Sequence, residues 1–114
     1  MNQTIKQRWI EALRSGEYEQ TTKTLHNEDG FCCLGVLCDL YSKEHDLKWM
    51  SDPHNHAYKM AGSTQVLPQF VTEWAGLKDD NPYVCFKDEV KPIAEVNDKG
   101  ATFTEIAQLI EEQH

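Results

Sequence analysis

The chain has 114 residues, of which 39% are hydrophobic and 10% aromatic, and these values are typical of one globular domain. Its 19 acidic and 11 basic residues give a formal net charge of −8, which disfavours direct binding to nucleic acid, because that affinity comes mainly from lysine and arginine displacing counterions. The longest apolar run, residues 31–40, is too short to cross a bilayer and the first residues lack signal-peptide character, so we expect a single cytoplasmic domain (1–114) without a membrane partner.

The first predicted element is an amphipathic helix over residues 4–14. The residues at the spacing of one helix face are Ile5, Trp9, Ala12 and Leu13. Thr4 and Gln7 stand at the spacing of a capping box, which indicates a helix start. The threonine-rich residues 18–25 predict a solvent-facing strand, and the polar residues 26–30 predict a turn.

The most distinctive segment is a predicted helix over residues 31–41, in which residues 31–38 are apolar on every side. A helix that is apolar all round is covered on all sides by the rest of the protein. Gly35 in its middle costs about 1 kcal/mol of helix propensity, so we expect a neighbouring backbone to approach this position closely. Asn27 or Asp29 is expected to cap its start.

The second half of the chain alternates short strands and helices. The predicted elements are strands at 47–50 and 57–60 around a loop at 51–56, a helix at 67–77 closed by Gly76, a strand at 83–86 and a helix at 92–98. Thr102 and Glu105 form a capping box before a last amphipathic helix. These elements predict an α+β fold with the 31–41 helix at its centre, a small antiparallel sheet, and the N- and C-terminal helices packed around them.

The four cysteines are better explained as core residues than as metal ligands. Cys33 and Cys38 point about 140° apart on a helix, and the neighbours Cys32 and Cys33 diverge by about 100°. Structural zinc sites usually take paired ligands two to four residues apart from two separated segments. Because Cys85 and His26 would join such a site only through tertiary structure, we expect packing in the core and neither a metal nor a cofactor.

A thiol enzyme is the first alternative. Cys32 and Cys33 stand in the first turn of the predicted helix, where the helix dipole lowers a thiol pKa. His26 or His54 would serve as the base. Burial in an all-apolar helix acts in the opposite direction and raises a thiol pKa, so no catalytic residue is assigned.

Other candidate binding groups are scattered along the sequence. His54 and His56, with Asp52 nearby, have a spacing that chelates metals only weakly, and we interpret them as part of a surface loop. Glycine-rich phosphate loops are absent. The lysines that are free to line a pocket for a small anionic ligand are Lys23, Lys43, Lys59 and Lys87.

The string from Asp29 to Tyr41, DGFCCLGVLCDLY, resembles a widespread family of small accessory proteins encoded by tailed bacteriophages and prophages. The likeness continues through residues 74–77 and 97–107, whereas residues 45–65 match poorly and are where we expect features particular to this protein. The resemblance implies a phage origin and a dispensable accessory role, and it implies no catalytic residues. Together with the small size, the acidity and the lack of a catalytic motif, it leads us to expect a protein that binds and neutralises a host defence component in the host cytoplasm. The target would be a host protein or a nucleotide-type signal. A second alternative is an acidic DNA mimic that occupies a basic partner, in keeping with the net charge.

Overall fold

The computed structural model describes residues 1–114 as five helices and two antiparallel sheets, which confirms the predicted α+β fold. The helices are α1 (Gln3–Arg14), α2 (Cys33–His45), α3 (Gln69–Ala75), α4 (Ile93–Asp98) and α5 (Phe103–Gln113). The strands are β1 (His26–Asn27), β2 (Gly30–Phe31), β3 (Met50–Asp52), β4 (Ala57–Lys59), β5 (Tyr83–Phe86) and β6 (Glu89–Pro92). None of the five helices combines the length and the apolar character that crossing a membrane would require.

The first half of α2 is the centre of the core, as predicted, and every residue from Cys33 to Cys38 is buried. A β-carbon added to Gly35 would lie 2.7 Å from the carbonyl carbon of Leu25 and still closer to its oxygen, which confirms the predicted close approach. The segment that approaches contains no regular strand: only Gln20 forms an isolated bridge, and Leu25 is completely buried. The prediction of a strand over 18–25 was therefore wrong, whereas its solvent-facing character holds for most of the segment, in which Leu25 is the one buried residue.

The larger sheet has four strands in the order β2-β1-β4-β3, all antiparallel. The predicted polar turn at residues 26–30 is the β1–β2 hairpin, closed by the Asn27 side chain, whose oxygen accepts hydrogen bonds from the amides of Asp29 and Gly30. The predicted strand at 47–50 lies slightly further along, at β3. The smaller sheet is a two-stranded ribbon formed by β5, which was predicted, and β6, which was not.

The terminal helices also pack against each other, which was not predicted, and bury Trp9 and Ile110 among other apolar residues. The capping box of α5 is present: the amide of Glu105 donates to the Thr102 hydroxyl at 3.1 Å, and the amide of Thr102 donates to the Glu105 carboxylate at 3.0 Å. The cap expected for α1 was wrong. Its start is capped instead by Asn2, whose side-chain oxygen accepts from the Ile5 amide at 3.0 Å.

Candidate functional site

Three of the four cysteines are sealed in the core, whereas Cys85 is exposed on β5. Burial raises the pKa of the Cys32 thiol to about 11 and also raises the pKa values of Cys33 and Cys38. The Cys33 sulfur lies 3.8 Å from the carbonyl oxygen of Ile93, on α4. The prediction that the cysteines pack in the core is confirmed for Cys32, Cys33 and Cys38 and wrong for Cys85.

The N-terminus of α2 is capped by a side chain from a distant part of the sequence. Cys32, at the N-cap position, makes no side-chain capping bond. Asn97 of α4 takes that role: its side-chain oxygen accepts from the Cys33 amide at 3.2 Å and from the Gln20 amide group at 2.9 Å. Its own amide group donates to the Thr21 carbonyl at 2.9 Å. The helix end therefore points at a fully buried, hydrogen-bonded asparagine, and the expectation that residue 27 or 29 caps α2 was wrong.

A surface cleft of about 430 Å³ lies over Cys32. Its walls are Lys23, Thr24, Cys32, Gln65, Val66, Asn81, Pro92, Ala94, Glu95 and Asp98. They include no imidazole, so the cleft does not assemble the thiol and histidine that the enzymatic alternative requires. One lysine against two carboxylates also makes the cleft unsuited to an anion.

His26 lies instead in a row of stacked rings across three strands of the larger sheet. Its ring is 3.8 Å from that of Phe31 and nearly parallel to it, and 4.5 Å from that of Tyr58 on the other side. Its Nδ1 atom lies 2.7 Å from the carbonyl oxygen of Gly30, and the edge of Trp49 covers it at 5.1 Å. These contacts fix His26 as a packing residue of the sheet.

The only partly buried carboxylate of α2, Asp39, ties this aromatic row to the helix. It accepts hydrogen bonds from the Tyr18 hydroxyl at 2.6 Å and the Trp49 indole at 3.2 Å. Lys43 forms an ion pair with it at 3.3 Å and donates to the Tyr18 hydroxyl, a bond that raises the lysine pKa. Lys43 is therefore already paired and does not line an open anion pocket.

His54 and His56 are exposed in the turn between β3 and β4. The side-chain amide of Asn55 donates to Asp52 at 2.8 Å, and this bond lowers the pKa of that carboxyl. Asp52 and His56 also line a shallow cavity of about 290 Å³. No group of three or more His, Cys, Asp or Glu side chains in the molecule is arranged to hold a metal ion.

Lysines do converge beneath the β5–β6 ribbon, where a cavity of about 250 Å³ opens between the ribbon and α4. We call it the lysine pocket, and its walls are Phe86, Lys87, Glu89, Lys91, Val96 and Lys99. Of these lysines, only Lys87 was recognised in the sequence. Lys91 and Lys99 were missed because β6 was not predicted, and without it nothing aligns Lys91 with α4. Lys23 and Lys59 lie outside this pocket.

The opposite side of the ribbon is its outer face, formed by Tyr83, Cys85, Val90 and Pro92. Tyr83 lies opposite Pro92 and Cys85 opposite Val90 in the strand register, so these side chains share one side. Tyr83 is 57% exposed and Val90 is 71% exposed, and besides Met50 they are the exposed large hydrophobic residues of the molecule. Side chains at alternate positions point inward, as the burial of Val84 shows.

The chain belongs to a known protein family, described as a domain of unknown function (DUF8296), whose family model matches residues 1–114. No curated protein and no solved structure matches the chain. Since the match runs from the first residue to the last, the core, the lysine pocket and the outer face all lie within one family domain.

Proposed function

We propose that this protein is an accessory protein of tailed bacteriophages or prophages that acts in the host cytoplasm by binding and neutralising a host protein. The observation that carries the proposal is the apolar outer face of the β5–β6 ribbon. Exposed apolar side chains grouped on one side of an element are typical of protein contact surfaces, in which aromatic residues such as Tyr83 are enriched.

The free edge of β5 is hydrogen-bonded to the end of the chain. The Gln113 side chain accepts a hydrogen bond from the Cys85 amide at 2.7 Å and donates one to the Cys85 carbonyl at 2.9 Å. His114 contacts the Tyr83 carbonyl at 3.1 Å. On the β5 side of the ribbon, a partner therefore meets the side chains of the outer face rather than an open strand edge. A preformed surface also loses little conformational entropy on binding.

Charge indicates what kind of protein would fit this face. The chain carries a net charge of −8, and Asp88 stands in the two-residue turn at the end of the ribbon. An apolar patch on a strongly acidic molecule is complementary to a partner whose own patch has a basic rim. Long-range attraction between the two surfaces would speed their association, most strongly at low salt.

The sequence resemblance to phage accessory proteins supports a host target, and the geometry of the cysteines favours binding over thiol chemistry. A thiol whose pKa is about 11 is almost entirely protonated at neutral pH, and the protonated thiol is a poor nucleophile.

The proposal is tested by affinity capture from host cells, followed by reconstitution with the purified partner. We compare wild type with Val90→Asp, which places a charge on the outer face, and with Met50→Asp as the matched control. Met50 is also 60% exposed but lies on β3, in the other sheet. We expect wild type and Met50→Asp to bind one identified host protein equally and inhibit it, and Val90→Asp to bind it at least 10-fold more weakly.

Equal binding by Val90→Asp and wild type would refute the outer face as the contact surface. A partner that captures the protein but keeps its full activity in the complex would refute neutralisation. If DNA displaces the protein and the affinity depends on acidic residues rather than on Val90, the DNA-mimic alternative replaces the proposal.

A further inference from the structure

The lysine pocket brings together cations in a molecule that is otherwise strongly acidic. Lys91 lies within the pocket wall with its side chain only 19% exposed, and its Nζ atom is 2.8 Å from the Glu89 carboxylate. Lys99 reaches the same space from the end of α4, and Lys87 reaches it from the ribbon's turn. Three ammonium groups share the wall with the Glu89 carboxylate, and Lys99 also forms an ion pair at 3.6 Å with Glu95, just outside the wall. Three lysines against two carboxylates leave the cluster with one net positive charge.

The carboxylate in the wall is the easiest of these charges to move. Glu89 is 65% exposed and is held by its single ion pair with Lys91. Its counterpart Lys91 is enclosed by the pocket and cannot leave it as freely. An incoming anion can therefore take the place of Glu89 beside Lys91 while the lysines stay where they are.

The remaining walls are apolar. The half-buried ring of Phe86 and the buried Val96 line the pocket, and the Nζ atom of Lys87 lies 5.2 Å from the centre of the Phe86 ring. This ammonium group lies over the ring, so the exposed Lys87 side chain has to swing off the ring before a flat group can stack there. The displaced ammonium group then supplies a charge for an acidic group. Lys87 also has a φ of 52°, a backbone conformation that lysine adopts rarely.

We propose that the lysine pocket binds a nucleotide, with the phosphate group between Lys91 and Lys99 and the base against Phe86. The cavity of about 250 Å³ is below the usual range for drug-sized ligands, so a mononucleotide fills it and leaves part of its own surface in solvent. The pocket lies on the side of the ribbon opposite the outer face, and the inference does not depend on the proposed protein partner.

The other candidate anion sites have less free positive charge than the lysine pocket. The cleft over Cys32 has Lys23 against Glu95 and Asp98, and its charge would repel a phosphate. Lys43 is paired with Asp39 and bonded to Tyr18. Only the lysine pocket combines several cations with an aromatic surface.

The test is isothermal titration calorimetry of the full-length protein with AMP, inorganic phosphate and adenosine as probes. We expect AMP to bind with a dissociation constant below about 1 mM, and the two fragments to bind at least 10-fold more weakly. Lys91→Gln and Lys99→Gln should each weaken AMP binding at least 10-fold. Glu89→Gln should tighten it several-fold, because the competing carboxylate is gone. Lys48→Gln, at an exposed lysine outside the pocket, is the control and should change nothing.

If AMP does not bind the wild type, the inference is overturned. It is also overturned if Lys48→Gln weakens AMP binding as much as Lys91→Gln does. Phosphate that binds as tightly as AMP overturns the assignment of a base to Phe86. Circular dichroism of each variant checks that a loss of AMP binding is not due to unfolding. Glu89→Gln is a second safeguard, because its expected effect is tighter AMP binding, which unfolding cannot produce. Lys91→Gln should still bind the protein partner and Val90→Asp should still bind AMP, so the two proposals fail separately.

Discussion

The first half of α2 is conspicuous in the sequence and hidden in the structure, whereas the β5–β6 ribbon is inconspicuous in the sequence and exposed in the structure. The segment from Cys33 to Cys38 is the most distinctive string in the sequence, and the structure encloses it completely. The ribbon contains residues that attract no attention in the sequence, and the structure exposes its apolar outer face and places the lysine pocket beneath it. The comparison teaches that reactive residue types mark a site only where solvent or a ligand can reach them.

The physical difference between the two regions is how many contacts each residue makes. Around α2, Trp9 donates its indole hydrogen bond to the Cys33 carbonyl at 2.9 Å, and Asn97 caps the helix from the other side. Any change there is transmitted to several neighbours, because the interior is closely packed. In the ribbon, Tyr83 and Val90 face solvent and can change without disturbing the core. Selection for function can therefore act on the ribbon more freely than on α2.

The largest effect is expected for Gly35→Ala in the core. Alanine favours a helix by about 1 kcal/mol over glycine, but its β-carbon would overlap the Leu25 carbonyl group. Because neither backbone can move without disturbing the core, we expect the free energy of unfolding to fall by about 3 kcal/mol. Urea denaturation followed by tryptophan fluorescence, to which the buried Trp9 contributes, measures it.

Gly16→Ala is the matched control. A β-carbon at Gly16 meets no atom within 4 Å, so only its positive φ of 77° penalises alanine, at a cost of about 1 kcal/mol. If Gly35→Ala is no worse than Gly16→Ala, the backbone of residues 20–25 does not lie against α2 as described. The central position of the cysteine helix would then be wrong.

An intermediate effect is expected from the buried thiols at alkaline pH. In the unfolded chain a cysteine loses its proton near pH 9, whereas Cys32 in the folded protein keeps it up to about pH 11. Between these values the folded state binds more protons than the unfolded state, so stability falls as the pH rises. Cys32 alone accounts for a loss of about 2 kcal/mol by pH 11.

The measurement is the free energy of unfolding between pH 8 and pH 11 for wild type and Cys32→Ala. The variant should lose stability less steeply above pH 9, since one shifted thiol has been removed. Val36→Ala, another buried position in α2, is the control and should lower stability by the same amount at every pH. Identical pH profiles for wild type and Cys32→Ala would show that Cys32 is accessible and would reopen the enzymatic alternative.

Local signals in the sequence were sufficient for most elements of the fold. Three features depend on residues that are close together or on one strong steric requirement: the Thr102 and Glu105 capping box, the apolar α2 helix and its Gly35 contact. The segment at 18–25 was mispredicted as a strand because its position is set by hydrogen bonds to Asn97, 70 or more residues away in sequence. Helix propensity and periodicity contain no information about such bonds.

The candidate site was predicted less well than the fold. Lys87 was recognised as a lysine free to line a pocket, but Lys91 and Lys99 join it only because β6 turns back and lies beside α4. The two-residue turn that allows this has Lys87 and Asp88 where glycine or asparagine is the usual signal. The hairpin therefore had no recognisable turn sequence, and the pocket beneath it could not be assembled from the sequence.

The smallest effect is expected for Asp88→Gly in this turn. Lys87 and Asp88 have φ values of 52° and 65°, as in the type I′ turns that favour glycine at the second position. Glycine would remove the backbone strain at residue 88 but add freedom to the unfolded chain, so we expect a net gain of about 0.5 kcal/mol in unfolding free energy. Asp88→Asn, which removes the charge but keeps a side chain that tolerates positive φ, should be nearly neutral. An equal gain in both variants would attribute the effect to charge repulsion, and a loss in Asp88→Gly would mean that the ribbon's turn is held by contacts of the Asp88 side chain.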